Sequence, residues 1–144
     1  MHYAYPARFD EHSDTIIVSF RDFPEAVTEG RNRAEALTEA ADCLDAALLF
    51  RLKEGAEIPS PSKQRRAEVA VPASPGVAAK IAFARAFAES RLTRTALARR
   101  LGLRETEIRR MLDPDHATKL DRIDEAMRVL GRRLVIADQP ADAA

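Results

Sequence analysis

The chain has 144 residues, of which 46% are hydrophobic and 32% charged, and its single cysteine excludes a disulfide framework within one chain. This length and composition suit one globular domain or two small ones and argue against disorder throughout. No apolar run reaches the roughly 18 residues of a membrane helix. The first residues lack a signal-peptide pattern, so we expect no membrane partner and a cytoplasmic location.

The net charge of zero is divided unevenly along the chain. Residues 1–72 carry 9 Lys and Arg against 13 Asp and Glu, a net of −4, whereas residues 73–144 carry 14 against 10, a net of +4. The sharpest excess lies in residues 91–112, where seven arginines accompany two glutamates. Such asymmetry indicates either two partners of opposite charge or an ordinary difference between small domains, and charge alone does not decide.

Two stretches of alternating apolar and polar residues predict a β-hairpin at the start of the chain. The first strand covers residues 3–11 and the second residues 15–20, with a polar turn between them. Pro6 has no amide hydrogen, so we expect it to face an open side of its strand or a bulge. Asp22-Phe23-Pro24 then breaks the pattern before a short third strand at residues 26–28.

A long helix and a fourth strand complete the first half. Asn32, followed three residues later by Glu35, predicts the helix start, and Gly55 predicts its end. Its buried side is predicted to be one apolar stripe of Leu37, Ala41, Leu44 and Leu48. A strand at residues 68–71 gives the order βββαβ, which is an α+β arrangement.

The second half predicts a series of helices. Ser74 as N-cap before Pro75 predicts a helix to about Ser90. Its apolar stripe is predicted to consist of Val77, Ile81, Ala84 and Ala88, flanked by Phe83 and Phe87. Shorter helices follow at residues 94–101, 105–112 and 119–130, and Thr118 or Asp121 can cap the last. Residues 134–136 predict a short strand, and we place the domain boundary between residues 72 and 73.

The most specific motif is TRTALARRLGLRETEIRRML at residues 93–112. Two helices that cross steeply need a small residue at the crossing, which Ala98 supplies, and a tight turn, which Gly102 supplies. Ile108 and neighbouring leucines can bury the inner faces. This spacing resembles the helix-turn-helix of Cro/repressor-type proteins, although Arg104 stands where that family usually has Ser or Thr. An ordinary helical hairpin with a solvated basic face is the alternative.

The helix-turn-helix resemblance implies a set of DNA-binding residues. The second helix of such a motif enters the major groove, where arginine reads guanine and glutamate accepts a hydrogen bond from cytosine. The implied base-facing residues are Arg104, Glu105, Thr106, Arg109 and Arg110. The residues suited to backbone phosphates are Arg94, Arg99 and Arg100.

The first half resembles the HicB antitoxin family over about residues 3–62. The resemblance lies in the segments YPARFD, VSFRDFPEAVTEG, RAEALTEAADCLDAAL and IPSPS. It implies a partial ribonuclease H-like fold and a role in holding a small, basic HicA toxin, which cuts messenger RNA, inactive. The implied toxin-binding residues are those of the aspartate-aromatic-proline turn: Asp22, Phe23, Pro24 and Glu25. An acidic first half suits a basic partner.

The sequence argues against an enzyme. A ribonuclease H-like nuclease needs several carboxylates around Mg²⁺, but the acidic residues lie in predicted turns or on the solvent side of the long helix. The three histidines are scattered, and Cys43 suits a packed core thiol better than a nucleophile. We therefore expect no catalytic residues, no metal site and no cofactor.

Together these patterns predict two domains with different partners. Residues 1–72 are the expected domain for the HicA-like toxin. Residues 73–144 are the expected helix-turn-helix domain for operator double-stranded DNA and for dimerisation, as a homodimer or a higher homo-oligomer. The alternative is a stand-alone transcription regulator without a toxin partner.

Overall fold

The computed structural model describes residues 1–140, and the chain divides between Ser74 and Pro75 into two compact units. We call them the N-terminal unit, Met1–Ser74, and the C-terminal unit, which begins at Pro75. The end of the predicted second domain, residues 141–144, lies outside the described residues. The first unit contains strands and a helix and the second contains helices, so the chain is of the predicted α+β class.

The N-terminal unit is built on a four-stranded antiparallel sheet in the order β3-β2-β1-β4. Its strands are β1 (Ala4–Glu11), β2 (Ile16–Phe20), β3 (Phe23–Gly30) and β4 (Glu68–Pro72). On one side of β1, Pro6 pairs with Ala70 of β4. On its other side the pairing with β2 begins only at Ala7, so that side is open at Pro6. This placement suits a residue that has no amide hydrogen.

The predicted break at Asp22-Phe23-Pro24 and the short strand at residues 26–28 are wrong, because β3 already begins at Phe23. The pairing of β2 with β3 changes register between Ser19 and Phe20. β3 is also an edge strand, where a proline such as Pro24 is tolerated since one row of amides has no partner strand. The sequence break therefore marks a bulged edge rather than the end of the hairpin.

The helix α1 (Arg33–Glu54) begins and ends where the sequence predicts. The Asn32 side chain accepts a hydrogen bond from the Glu35 amide at 2.9 Å, which satisfies one free donor of the first turn. Gly55 ends the helix in the left-handed region, with φ 64°. At the other end a close approach matters: a Cβ on Gly30 would lie 2.4 Å from the Ala36 nitrogen.

The buried side of α1 differs from the predicted stripe. It consists of Ala36, Ala40, Leu44, Ala47 and Leu48. Leu37 and Ala41 of the prediction are only half-buried. The periodicity was right but the stripe was rotated, because the alanines let the helix approach β3 closely and the larger Leu37 lies at the margin.

The C-terminal unit packs four helices around one apolar cluster. They are α2 (Pro75–Ser90), α3 (Arg94–Leu101), α4 (Glu105–Leu112) and α5 (Leu120–Val129). The cluster includes Phe83, Leu97, Ile108, Ile123 and Met127. The predicted stripe of α2 is confirmed at Ile81, which is buried, but none of its four members belongs to this cluster. Its contributors are Ala79, Phe83 and Ala86, whereas Ala88 is exposed and Val77 and Ala84 are half-buried.

The predictions at the end of the chain need two corrections. Lys119 precedes α5 as its N-cap, and Thr118, predicted to cap that helix, accepts a hydrogen bond from Lys80 at 3.1 Å instead. The strand predicted at residues 134–136 does not form within the described residues. Leu134 packs against the apolar cluster, while Val135 and Ile136 are 85% and 66% exposed.

Candidate functional sites

The segment at residues 93–112 forms two eight-residue helices joined by a tight turn, α3 and α4. The Thr93 side chain caps α3 by accepting from the Ala96 amide at 3.0 Å. Gly102 ends α3 with φ 67°, and Leu103 then donates to the Ala98 carbonyl at 2.9 Å. Ala98 is buried at the start of this turn, as expected for a small residue at a crossing.

The start of α4 is stabilised without a Ser or Thr cap. Arg104 holds the N-cap position, and its amide donates to the Glu107 carboxylate at 2.8 Å. Glu107 thus supplies one half of a capping box from the third helical position. Ile108 and Met111 bury one side of α4, which leaves its other side exposed along the whole helix.

The predicted DNA-binding residues lie on α3, on α4 and at the N-cap of α4. All six predicted arginines are exposed in the structure: Arg94, Arg99, Arg100, Arg104, Arg109 and Arg110. Thr106 is exposed as well. This set can offer guanidinium groups to an anionic surface such as a nucleic-acid backbone.

Three of the predicted residues are joined by ion pairs. Glu105 contacts Arg94 of α3 at 3.1 Å and Arg109 of its own helix at 2.9 Å. The Glu105 side chain is 28% exposed, so it lies deeper than either arginine. The expectation that Glu105 is free to face a base is therefore modified, because its carboxylate oxygens already have partners in the protein.

The sequence analysis missed Lys80, the one buried charged residue among those described. Its ammonium group donates to the Met111 carbonyl at 2.7 Å and to the Thr118 hydroxyl at 3.1 Å. Burial lowers the pKa of Lys80 below its usual value, although the charge of Asp113 opposes this shift. Lys80 thereby joins α2 to the end of α4 and to the loop before α5. The available signal was a lysine between Ala79 and Ile81, on the buried side of α2.

An open depression of about 340 Å³ lies beside α4 and the start of α5. Its lining includes Arg110, His116, Lys119 and Arg122, with Glu107 as the acidic member. Positive groups on this side of α4 therefore extend beyond the residues that the sequence predicted.

The turn that joins β2 to β3, together with the first residues of β3, is held by contacts within the N-terminal unit. Asp22 accepts hydrogen bonds from the amide (2.8 Å) and the hydroxyl group of Ser62. Phe23 has no exposed surface and packs edge-on against Tyr5, with ring centroids 4.8 Å apart. Asp22 and Phe23 thus fix the end of the turn and the start of β3, whereas Pro24 and Glu25, the next two residues of β3, are exposed.

Arg51 of α1 supports the exposed side of this turn. It pairs with Glu25 at 2.7 Å, and its guanidinium carbon lies 4.6 Å from the centre of the Phe23 ring. The hydrogen bond from Arg51 lowers the pKa of Glu25, so this carboxylate is ionised at neutral pH. Pro24 and Glu25 therefore form an exposed corner in which Arg51 binds both carboxylate oxygens of Glu25.

A second ion pair ties β4 to the turn between β2 and β3. Arg21 binds Glu68 through two nitrogens, at 3.0 and 2.9 Å, and also donates to the Lys63 carbonyl. The hydrogen bonds from Arg21 and from the Arg65 amide lower the pKa of Glu68 to about 2. The connector before β4 is thereby fixed against the sheet.

One of the helix carboxylates weighed for catalysis has a structural partner. Asp45, placed on the solvent side of α1 by the sequence, accepts hydrogen bonds from the amide (2.9 Å) and hydroxyl of Ser74. Within residues 1–140, no three His, Cys, Asp or Glu residues are grouped to hold a metal ion. Burial raises the pKa of the Cys43 thiol, which disfavours the reactive thiolate. In the same part of the chain, no helix is both long enough and apolar enough to span a bilayer.

The chain is similar to known antitoxins over most of its length. A family model described as HicB-like antitoxin of bacterial toxin–antitoxin system matches residues 2–82. Antitoxin HicB 2 of Photorhabdus laumondii is 41% identical over 130 residues, which cover 90% of this chain and 92% of that protein. Antitoxin HicB of Escherichia coli K12 is 38% identical over 118 residues, which cover 82% of this chain and 86% of that protein.

Proposed function

The chain belongs to the HicB-like antitoxin family, and from this premise we propose that it neutralises a HicA-like toxin and represses its own operon. In this proposal the N-terminal unit covers the toxin, which is an mRNA-cutting enzyme, and the C-terminal unit binds operator DNA. The antitoxin itself acts by binding and has no catalytic role.

The charge and rigidity of the N-terminal unit support toxin binding. Its residues carry a net charge of −4, which attracts a basic partner and speeds encounter. The exposed corner at Pro24 and Glu25 is held in one conformation by Arg51 and the buried Phe23. A preorganised surface loses less conformational entropy on binding than a flexible one. We assign the toxin contact to this corner.

The exposed arginines of α3 and α4 carry the proposal of DNA binding. Arg100 and Arg110 are exposed, and each arginine can release counterions from a phosphate backbone or read a guanine edge. A major groove is about 12 Å wide and admits an α-helix. In this arrangement α4 is the recognition helix.

A dimer completes the proposal, because one helix reads too few base pairs to select a site in a genome. Two copies would read half-sites roughly 34 Å apart on one face of the duplex. Val135 and Ile136, exposed after α5, are the surface that we assign to the contact between copies.

The DNA part is tested with a duplex taken from upstream of the chain's own coding sequence. Fluorescence anisotropy should give an affinity at least about 10³-fold higher than for a scrambled duplex of the same composition. Equal affinities at physiological salt would overturn sequence-specific binding.

The toxin part is tested with the small basic protein, of some 60 residues, expected from the neighbouring gene. The full chain should stop its cleavage of RNA in vitro at near-equal molar amounts. Glu25→Lys should weaken this inhibition, whereas the matched charge reversal Asp42→Lys on the exposed side of α1 should not. Equal inhibition by both variants would place the toxin contact away from the Pro24–Glu25 corner.

A further inference from the structure

The ion pairs of Glu105 give this residue a role beyond a base contact. We propose that Glu105 is a positioning residue that raises the sequence specificity of α4 by holding the guanidinium groups of Arg94 and Arg109. The inference rests on the proposed DNA binding, which the test below examines separately.

The geometry places the carboxylate between two helices. Oε1 of Glu105 contacts Nε of Arg94 at 3.1 Å, and Oε2 contacts Nη2 of Arg109 at 2.9 Å. The two arginine side chains are 48% and 61% exposed, while that of Glu105 is 28% exposed. The carboxylate therefore lies behind the guanidinium groups and joins the first residue of α3 to the first turn of α4. Its position at the start of α4 also suits the positive end of the helix dipole.

This arrangement affects DNA binding in two ways. A guanidinium group that is already held in place loses less freedom when it forms a bidentate contact with guanine. The negative charge, in contrast, opposes backbone phosphates of every sequence alike, so it weakens non-specific binding. The first effect widens the affinity difference between an operator and other DNA, whereas the second lowers both affinities equally.

A base-reading role for Glu105 predicts different behaviour. A carboxylate that accepts from cytosine would set the preferred base at one position of the site. A positioning carboxylate leaves the preferred bases unchanged and alters how strongly all arginine-dependent positions are selected. The two roles are therefore separable by comparing selected sites.

The experiment uses the full-length wild type, Glu105→Gln and the control Glu89→Gln in selection from a random-sequence duplex library. Glu89→Gln removes the same charge as Glu105→Gln. The Glu89 side chain is 61% exposed on α2, and its contact with Arg132 is long, at 3.7 Å. Affinities for the selected duplex and for its scrambled version are then measured over a range of salt.

We expect Glu105→Gln to bind the scrambled duplex more tightly, with a salt dependence steeper by about one unit, since one more arginine meets phosphate. The ratio of the two affinities should fall about tenfold as the arginines lose their fixed positions. The same preferred bases should be selected, and Glu89→Gln should keep the ratio of the wild type. In a chain that carries Arg94→Gln and Arg109→Gln, adding Glu105→Gln should change the ratio no further.

Three results would overturn the inference. They are an unchanged ratio in Glu105→Gln, a new preferred base at one position, and a fall in the ratio that persists without both arginines. A wild type that selects no sequence would instead refute DNA recognition itself, and with it the role of Glu105.

Discussion

At the scale of single residues, side chains that the sequence marks as functional separate into two kinds. Asp22 and Phe23 are engaged with Ser62 and Tyr5, so they build a turn, whereas Pro24 and Glu25 are exposed on it. Among the arginines, Arg94 and Arg109 have an acidic partner in Glu105. Sequence spacing identified these positions but not their partners, because an ion pair between α3 and α4 depends on the crossing of the two helices.

The exposed arginines allow a direct comparison of base reading with phosphate binding. Arg110→Ala should cost about 1–3 kcal/mol of operator affinity and relax selection at one position, because a bidentate base contact is lost. Arg100→Ala should weaken binding to all duplexes alike and reduce the salt dependence by about one unit. Anisotropy titrations of operator and scrambled duplexes measure both. If the two variants behave identically, α4 is not the base-reading helix.

Glu68 predicts a defined acid sensitivity of the N-terminal unit. Its pKa is lowered from 4.5 to about 2 in the fold, mainly by the hydrogen bond from Arg21, so the unfolded chain binds this proton more readily. The stabilisation is therefore complete above pH 4.5 and is lost as the pH falls through 2. Urea unfolding should show Glu68→Gln less stable than the wild type at pH 7, with the difference shrinking toward pH 2.

A control completes this test. Glu54→Gln alters an exposed glutamate at the end of α1 and should track the wild type throughout. A Glu68→Gln stability difference that stays constant from pH 7 to pH 2 would contradict the role of the Arg21 ion pair.

At the scale of elements, local signals predicted the helices better than the strands. The caps at Asn32, Gly55 and Gly102 involve contacts within a few residues, so the ends of α1 and α3 could be read from the sequence. The start of β3 at Phe23 could not, because it depends on a register shift against β2. The buried sides of α1 and α2 were rotated from the predictions for a similar reason. Which side faces the core depends on the partner element, and periodicity gives only the spacing.

Gly30 tests the close packing of α1 on β3. An added Cβ would lie 2.4 Å from the Ala36 nitrogen, so Gly30→Ala should push the helix away and cost about 1–3 kcal/mol of unfolding free energy. Gly76 of α2 has open space around its Cβ position, so Gly76→Ala should be neutral or slightly stabilising. Urea unfolding of both variants measures the contrast. Equal stability of the two would show that α1 does not rest on this glycine.

At the scale of the whole molecule, the uneven charge of the sequence follows the division of the chain. The acidic residues of the first half fall in the N-terminal unit, and the arginine-rich segment falls in α3 and α4 of the C-terminal unit. The domain functions and the binding residues stay predictions. The family could be recognised from the order of short motifs, whereas the partners of the buried Lys80 could not, since they lie 31 and 38 residues away in the sequence.

The assembly is tested by shortening the chain after Gly131. This removes Val135 and Ile136, which are largely exposed, together with Leu134, which packs on the apolar cluster. If these residues join two copies, the mass in analytical ultracentrifugation should fall to that of one chain, and operator affinity should fall with it. A second variant, Val135→Ser with Ile136→Ser, keeps Leu134. It shows whether the dimer is lost through the contact between copies or through damage to the apolar cluster. If the shortened chain and the double serine variant both keep the mass of two chains, the contact between copies lies elsewhere.

The separation of toxin binding from DNA binding is tested most directly by the growth of cells that produce the cognate HicA-like toxin. We expect the wild type and the Arg100→Ala, Arg110→Ala double variant to restore growth equally, because the altered arginines lie on α3 and α4 of the C-terminal unit. Glu25→Lys should fail to restore growth, while Asp42→Lys should succeed. Full rescue by Glu25→Lys would contradict the toxin contact at Pro24 and Glu25, and loss of rescue in the folded arginine variant would contradict the assignment of toxin neutralisation to the N-terminal unit.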